Sequence, residues 1–290
     1  MDQPSIHRPA GLKVTYRRMK FPFEDKGFDR YWHGGSPFKS LFWTQLSTAF
    51  EPGEKFFIDS ARALKDQIQD PALLEELTEF CRQEGHHTAQ HLKFDRQNES
   101  LGIDILGCRK RYAKVIDRVR ELGNPMQMLA ATAALEHFTA GIADRVLQDP
   151  RLFEGSDAGV EALWRWHAAE EVEHKATCFD LYRQLGGKYP QRLGLLFGAW
   201  TEILRIAMIN TYVLLWKDGK LFTWDTVKGH WYLLGPHGVI SRMLPAFLAY
   251  FSPRFHPWNN DTSAQIRAWE AGNRQYVVNG SHGAAATGQA

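Results

Sequence analysis

Apolar positions through the middle of the chain recur at intervals of three and four, the period of helices that turn one face inward. From Pro52, a residue suited to the first helical position, one such pattern runs through Phe56, Phe57, Ala61 and Leu64. Asp70-Pro71 stops it and starts a second helix, which carries Leu73, Leu74, Leu77, Phe80, His87, His91 and Phe94 and fades between Asn98 and Gly102. A third begins at Asn124-Pro125, is rich in alanine, and ends near Asp149-Pro150. Ser156-Asp157 caps a fourth, which runs through Trp164, His167, Glu171, His174 and Phe179 to Gly186-Gly187. No strand pattern of comparable length competes, so the expected class is all-α.

Connection lengths suggest a topology. Tight turns join helices one to two and three to four as antiparallel hairpins, while roughly 25 residues separate helix two from helix three. One long crossover in the middle points to a ferritin-like four-helix bundle over residues 51–187. An irregular, aromatic arm (1–50) precedes it, an apolar, aromatic-rich helical extension (188–278) follows, and a small polar tail (279–290) is expected to be disordered.

The chemistry lies in a pattern that occurs twice: Glu84-Gly85-His86-His87 and Glu171-Val172-Glu173-His174. Glu-x-x-His at helical spacing sends a carboxylate and an imidazole from one face towards one point. Two such helices, with one inward glutamate from each of two others, supply the ligands of di-iron and di-manganese carboxylate bundles. The other two glutamates are Glu54 and Glu136, and counting from the shared turns places all four carboxylates in one layer. Each histidine helix adds an imidazole. At about 100° per residue, Glu84, His87 and His91 project near 0°, 300° and 340°, and His167, Glu171 and His174 near 0°, 40° and 340°. His91 and His167 are thus either ligands or partners of ligands. Glu170 is placed beside the ligands, Glu173 on the surface, and His86 and His137 among ordinary polar residues. Glu54 is preferred to Glu51 as the inward carboxylate because it lies within the helix. Four glutamates offset two divalent cations, which leans towards iron, with manganese or zinc as alternatives.

Composition narrows the setting. A formal net charge of +2 argues against a dedicated nucleic-acid binder. The basic run Arg109-Lys110-Arg111 with Lys114, Arg118 and Arg120 reads as a solvated helix face. Three scattered cysteines form neither a disulfide framework nor a zinc motif, and the N-terminus has charges where a signal peptide needs an apolar run, so a cytoplasmic setting is the default.

These residues resemble a known bacterial family, the predicted metal-dependent hydrolases of the ferritin-like superfamily. The matching stretches are Tyr31-Trp32-His33 with Ser36-Pro37, Phe50-Glu51-Pro52-Gly53-Glu54-Lys55-Phe56-Phe57, Gln83-Glu84-Gly85-His86-His87 with His91, and Trp166-His167-Ala168-Ala169-Glu170-Glu171-Val172-Glu173-His174. His-x-x-x-Glu-x-x-His in helix four also resembles the di-iron arylamine N-oxygenases, and that likeness implies His167 as an added ligand.

From Leu193 to Trp216 the chain is nearly continuous in apolar residues, but Glu202 and Arg205 in the middle are expensive inside a membrane. A dense set of aromatics follows, suited to covering the bundle, to a peripheral membrane contact, or to an apolar substrate tunnel. The leading expectation is O2-dependent oxidation of an apolar small molecule or lipid by two metal ions, which would need an electron donor. The alternative is hydrolysis by a metal-activated water. A homodimer is compatible with either.

Overall fold

The computed structural model describes residues 8–276, and the tail expected to be disordered lies outside that range. Among the described residues the regular elements are all helical, and the single β-bridge, His33 to Ser156, is isolated. The α-helices, in chain order, are α1 (Phe23–Lys26), α2 (Pro37–Ser47), α3 (Phe50–Arg62), α4 (Pro71–Ser100), α5 (Ile105–Leu122), α6 (Pro125–Gln148), α7 (Ala158–His174), α8 (Thr177–Gln184), α9 (Tyr189–Lys217), α10 (Trp224–Leu234), α11 (Leu244–Ala249) and α12 (Ser263–Gly272).

The four helices that carry the candidate ligands pack in a closed ring: α3 on α4, α4 on α7, α7 on α6, and α6 on α3. Their starts follow from local chemistry. Asp70 accepts from the Ala72 N–H with Pro71 in the first turn, and Asn124 forms a reciprocal capping box with Gln127. Asp157 accepts from the N–H groups of Gly159 and Val160. Gly159 permits a close approach there, since a Cβ would sit 2.9 Å from the backbone N of Phe23. α3 begins at Phe50, earlier than Pro52; the proline falls in the first turn, where its missing N–H removes no helical bond.

Three readings of the sequence are corrected. The arm taken as irregular contains α2, capped by Ser36 and buried at nine of its eleven residues. A helix enclosed on all sides shows no polar–apolar period to read. The crossover between α4 and α6 is itself a helix, α5, packed on α3 and α9. The fourth helix is not continuous: it stops at His174 and resumes as α8. Lys175 at the break donates to the Asn260 carbonyl (2.6 Å) and Thr262 Oγ1 (3.0 Å), with Nζ 4.1 Å from the Trp258 ring centroid. Thr177 Oγ1 donates to Glu76 (2.6 Å), so both sides of the break are anchored.

α9 is 29 residues long, with a mean hydropathy of 1.3 in its most apolar window, and passes a length-and-composition test for a membrane span. It packs on α6, α2 and α5, and its Leu196, Trp200, Leu214 and Leu215 join the common core. Glu202 and Arg205 pair with each other at 2.5 Å on its outer side.

Candidate metal centre

Inside the ring formed by α3, α4, α6 and α7, the interior is polar. Glu54, Glu84, His87, His91, Glu136, His167, Glu171 and His174 are each 3% exposed or less. Two groups of donor atoms close enough to share an ion stand out: Glu54, His87 and His167 form one, and Glu84, Glu171 and His174 form the other. Glu136 adjoins the second, with Oε2 3.3 Å from His174 Nε2. Glu171 bridges the groups, its Oε1 2.8 Å from His167 Nε2 and its Oε2 3.7 Å from His174 Nε2. Glu51 points outward near Arg109, while Glu54 points in.

The electrostatics of this buried cluster are adverse. Burial, with Glu84 beside it, pushes Glu54 well above the usual carboxylate range. Burial likewise raises Glu84, and lifts Glu136 to about 7. Glu171 is the exception, because hydrogen bonds from His167 and His174 outweigh its burial and hold it low. Burial alone would strip the proton from His174, but the carboxylates of Glu136, Glu171 and Glu84 hold it on. His87 lacks such compensation; burial and the neighbouring His167 keep it neutral.

Several of these atoms face the interior with no hydrogen-bond partner, namely Glu54 Oε1, Glu84 Oε2, Glu136 Oε1, Glu171 Oε2 and His87 Nδ1, while His174 Nε2 is shared between Glu84 Oε1 at 3.0 Å and Glu136 Oε2 at 3.3 Å. Buried polar atoms are normally satisfied, so a cluster of orphans facing one another calls for cations between them. The donor set, carboxylate with imidazole, suits iron, manganese or zinc. The residues present therefore fit metal ions, one for each group.

The outer nitrogens of the histidines are engaged. His174 Nδ1 lies 2.9 Å from Gln83 Oε1, and His87 Nε2 lies 3.2 Å from Glu170 Oε2. His91 stands one step further out. Its Nε2 meets His167 Nδ1 at 2.7 Å and its Nδ1 meets Ser47 Oγ at 2.9 Å, and Ser47 donates to Asp95 at 2.7 Å. Both of its nitrogens are taken, so it stands behind His167 and outside both clusters, the second of the two roles the sequence leaves open for it. One direction of donation satisfies the whole series: His167 Nδ1–H to His91, His91 Nδ1–H to Ser47, and Ser47 O–H to Asp95. With Nδ1 so committed, Nε2 is the nitrogen left facing the centre: protonated it donates to Glu171 Oε1 at 2.8 Å, and deprotonated it offers its lone pair to a metal.

Glu173 corrects another reading. It is buried, not on the surface, because the segment around Thr15 and Arg17 covers that face of α7. Arg17 Nη2 lies 2.6 Å from Glu173 Oε1, and Nη1 lies 3.4 Å from Glu170 Oε1; Arg17 also pairs with Glu270 on α12. Burial opposes the guanidinium charge, but Glu173, Glu170 and Glu270 hold it on firmly. Gln83 joins this network, donating to Glu173 Oε2 at 3.0 Å. Arg17 thus backs both His87, through Glu170, and His174, through Glu173 and Gln83. Sequence reasoning missed Arg17, Gln83, Ser47 and Asp95. Arg17 lies in an extended segment with no period to read, whereas Gln83, adjacent to Glu84, was within reach of helical geometry.

The chain matches no curated protein and no solved structure. A family model described as predicted metal-dependent hydrolase matches residues 15–261, from the segment that carries Arg17 to the loop that anchors Lys175. On that match the chain belongs to the family of predicted metal-dependent hydrolases.

Proposed function

We propose that the protein is a hydrolase of apolar esters or phosphoesters, with two metal ions held in a ferritin-like helical ring. Glu54, His87 and His167 would hold one ion and Glu84, Glu171 and His174 the other, with Glu136 beside the second. Metal held there supplies an activated water and a Lewis acid for a carbonyl or phosphoryl oxygen. The observation that carries the metal assignment is the set of unpartnered carboxylate and imidazole atoms in one buried layer. Membership of the family favours hydrolysis over the oxygen-dependent oxidation expected first.

The chain's own groups have distinct tasks in this reading. Gln83 and Glu170 orient His174 and His87, and the His91–Ser47–Asp95 series fixes the tautomer of His167. Phe50 packs edge-on against His91 and tilted against His167, and Phe80 and Trp166 pack edge-on against His174 and His87. These rings exclude bulk water and favour an apolar substrate.

The test is metal analysis of the natively purified protein together with turnover of ester and phosphoester panels. Two ions per chain are expected, with hydrolysis that is lost on chelation and restored by re-addition of metal. Reduction followed by O2 uptake, with no ester or phosphoester turnover, would overturn hydrolysis in favour of oxidation.

A further inference from the structure

α10 turns an apolar stripe outward. At about 100° per residue, Trp224, Val227, Trp231 and Leu234 fall within an arc of about 80°. Those four side chains are 78%, 55%, 71% and 60% exposed. The residues that α10 buries instead are Thr226, Gly229 and Leu233 on the opposite side. This orientation is fixed. A Cβ at Gly229 would sit 2.1 Å from the Phe38 ring, so the helix backbone is pressed onto α2. Asp225 holds Ser36 Oγ and the Phe38 N–H, each at 2.7 Å. The preceding loop extends the same surface, with Phe222 at 88% exposure and its ring 6.3 Å from that of Trp216.

Charge is sorted across this segment. Between Trp216 and Leu234 there are two acids and three lysines. Both acids turn inward, Asp218 to Arg30 and Tyr31, and Asp225 to the start of α2. Lys228 is exposed beside the tryptophans, whereas Lys217, also exposed, pairs with Asp104 Oδ2 at 2.5 Å. Soluble proteins rarely leave so large an apolar surface uncovered. Exposed tryptophan with flanking lysine matches the level of lipid headgroups, where the indole is half in hydrocarbon and the ammonium meets phosphate.

We propose that α10 and the loop before it form a docking face for a bilayer surface rich in anionic lipid. Trp216, Phe222, Trp224 and Trp231 enter the headgroup boundary, and Lys220 and Lys228 meet the negative charge. The face does not span the membrane; it lies on it, and it does so whether or not the metal centre hydrolyses esters.

The test is co-sedimentation of the full chain with vesicles of phosphatidylcholine mixed with phosphatidylserine, against phosphatidylcholine alone. Binding is expected to the mixed vesicles, weakened by salt, with quenching of tryptophan emission by brominated lipid. The double variant Phe222→Ser, Trp231→Ser should lower the partition coefficient about tenfold or more, at unchanged helical content and metal content. Lys228→Glu, a change at an exposed position, should lower it roughly fivefold or more in the mixed vesicles and little in neutral ones. Absence of binding to either vesicle, or binding untouched by both variants, would overturn the proposal. So would a wild-type dimer in solution that becomes monomeric in the double variant, because the face would then be covered by a second copy.

Discussion

The centre between α3, α4, α6 and α7 and the outer face of α10 invert the usual distribution of residues in opposite ways. The first buries carboxylates and imidazoles that water would welcome; the second exposes tryptophan and phenylalanine that a core would welcome. Folding free energy favours neither arrangement. Exposed apolar side chains elsewhere, such as Leu122 on α5 and Phe197 on α9, are scattered, so these two concentrations mark where something other than the chain is meant to make contact. They also differ in how the chain manages the cost. Around the centre it builds a second ring of polar groups, while at α10 it only pins the helix from behind.

That second ring turns on Arg17, and its removal should have the largest effect. Arg17→Ala leaves Glu173 and Glu170 buried without their cation, and breaking a buried pair in this way costs about 3–5 kcal/mol. Denaturant unfolding of the metal-loaded protein checks it. A loss below about 1 kcal/mol would mean that the outer ring does not carry the centre, and the contrast with α10 would weaken.

How much of this was legible in the sequence follows from the same contrast. Glu54, Glu84, Glu136, Glu171 and their histidines could be placed because helical period and turn counting fix which residues share a depth. α2 could not, since a helix buried on every side, with Ser40, Thr44, Gln45 and Ser47 inside as well as its aromatics, has no polar–apolar period, and polar atoms such as Ser47 Oγ look like loop chemistry. Arg17 and Glu173 were illegible for a different reason. Their partnership spans 156 positions and depends on an extended segment folding over α7, which no local pattern encodes. The aromatic run after Trp216 was visible as composition, but only the structure shows which side of α10 faces out.

A smaller effect, of opposite sign, should come from the centre itself. Glu136 Oε1 lacks a partner, its Oε2 has only His174 Nε2 at 3.3 Å, and burial raises its carboxyl to about 7 from 4.5. A folded-state pKa above the unfolded value means that the folded chain holds its proton more tightly. The metal-free protein therefore loses stability as pH rises from 4.5 through 7 and regains it as pH falls. Glu136→Leu, similar in volume, should raise the stability of the metal-free protein by about 1–4 kcal/mol at pH 8, and by much less at pH 5. The same variant should lower metal occupancy with helical content intact. Thermal unfolding of chelated wild type and variant at both pH values decides it. Equal stability at pH 8 would show that the carboxylate has partners in solution that the structure does not give it.

The smallest effect sharpens the comparison by placing one kind of chemistry in both settings. Glu202 and Arg205 on α9 form a close ion pair at 2.5 Å, but their side chains are 42% and 51% exposed. The Arg17–Glu173 pair has nearly the same separation, 2.6 Å, at 4% and 1%. Distance cannot tell these pairs apart, whereas solvent can: an exposed pair three residues apart on a helix is screened and contributes about 0.2–0.5 kcal/mol. The double change Glu202→Ala, Arg205→Ala should therefore alter stability by less than about 0.5 kcal/mol and leave metal content unchanged. It also removes the only charges from the middle of α9, the helix apolar enough to cross a membrane. If α9 sits against α6, α2 and α5 in water, the variant remains soluble with wild-type helical content. A variant that moved into detergent-soluble membranes on expression would show that this pair, and not the packing of α9, keeps the helix with the rest of the fold.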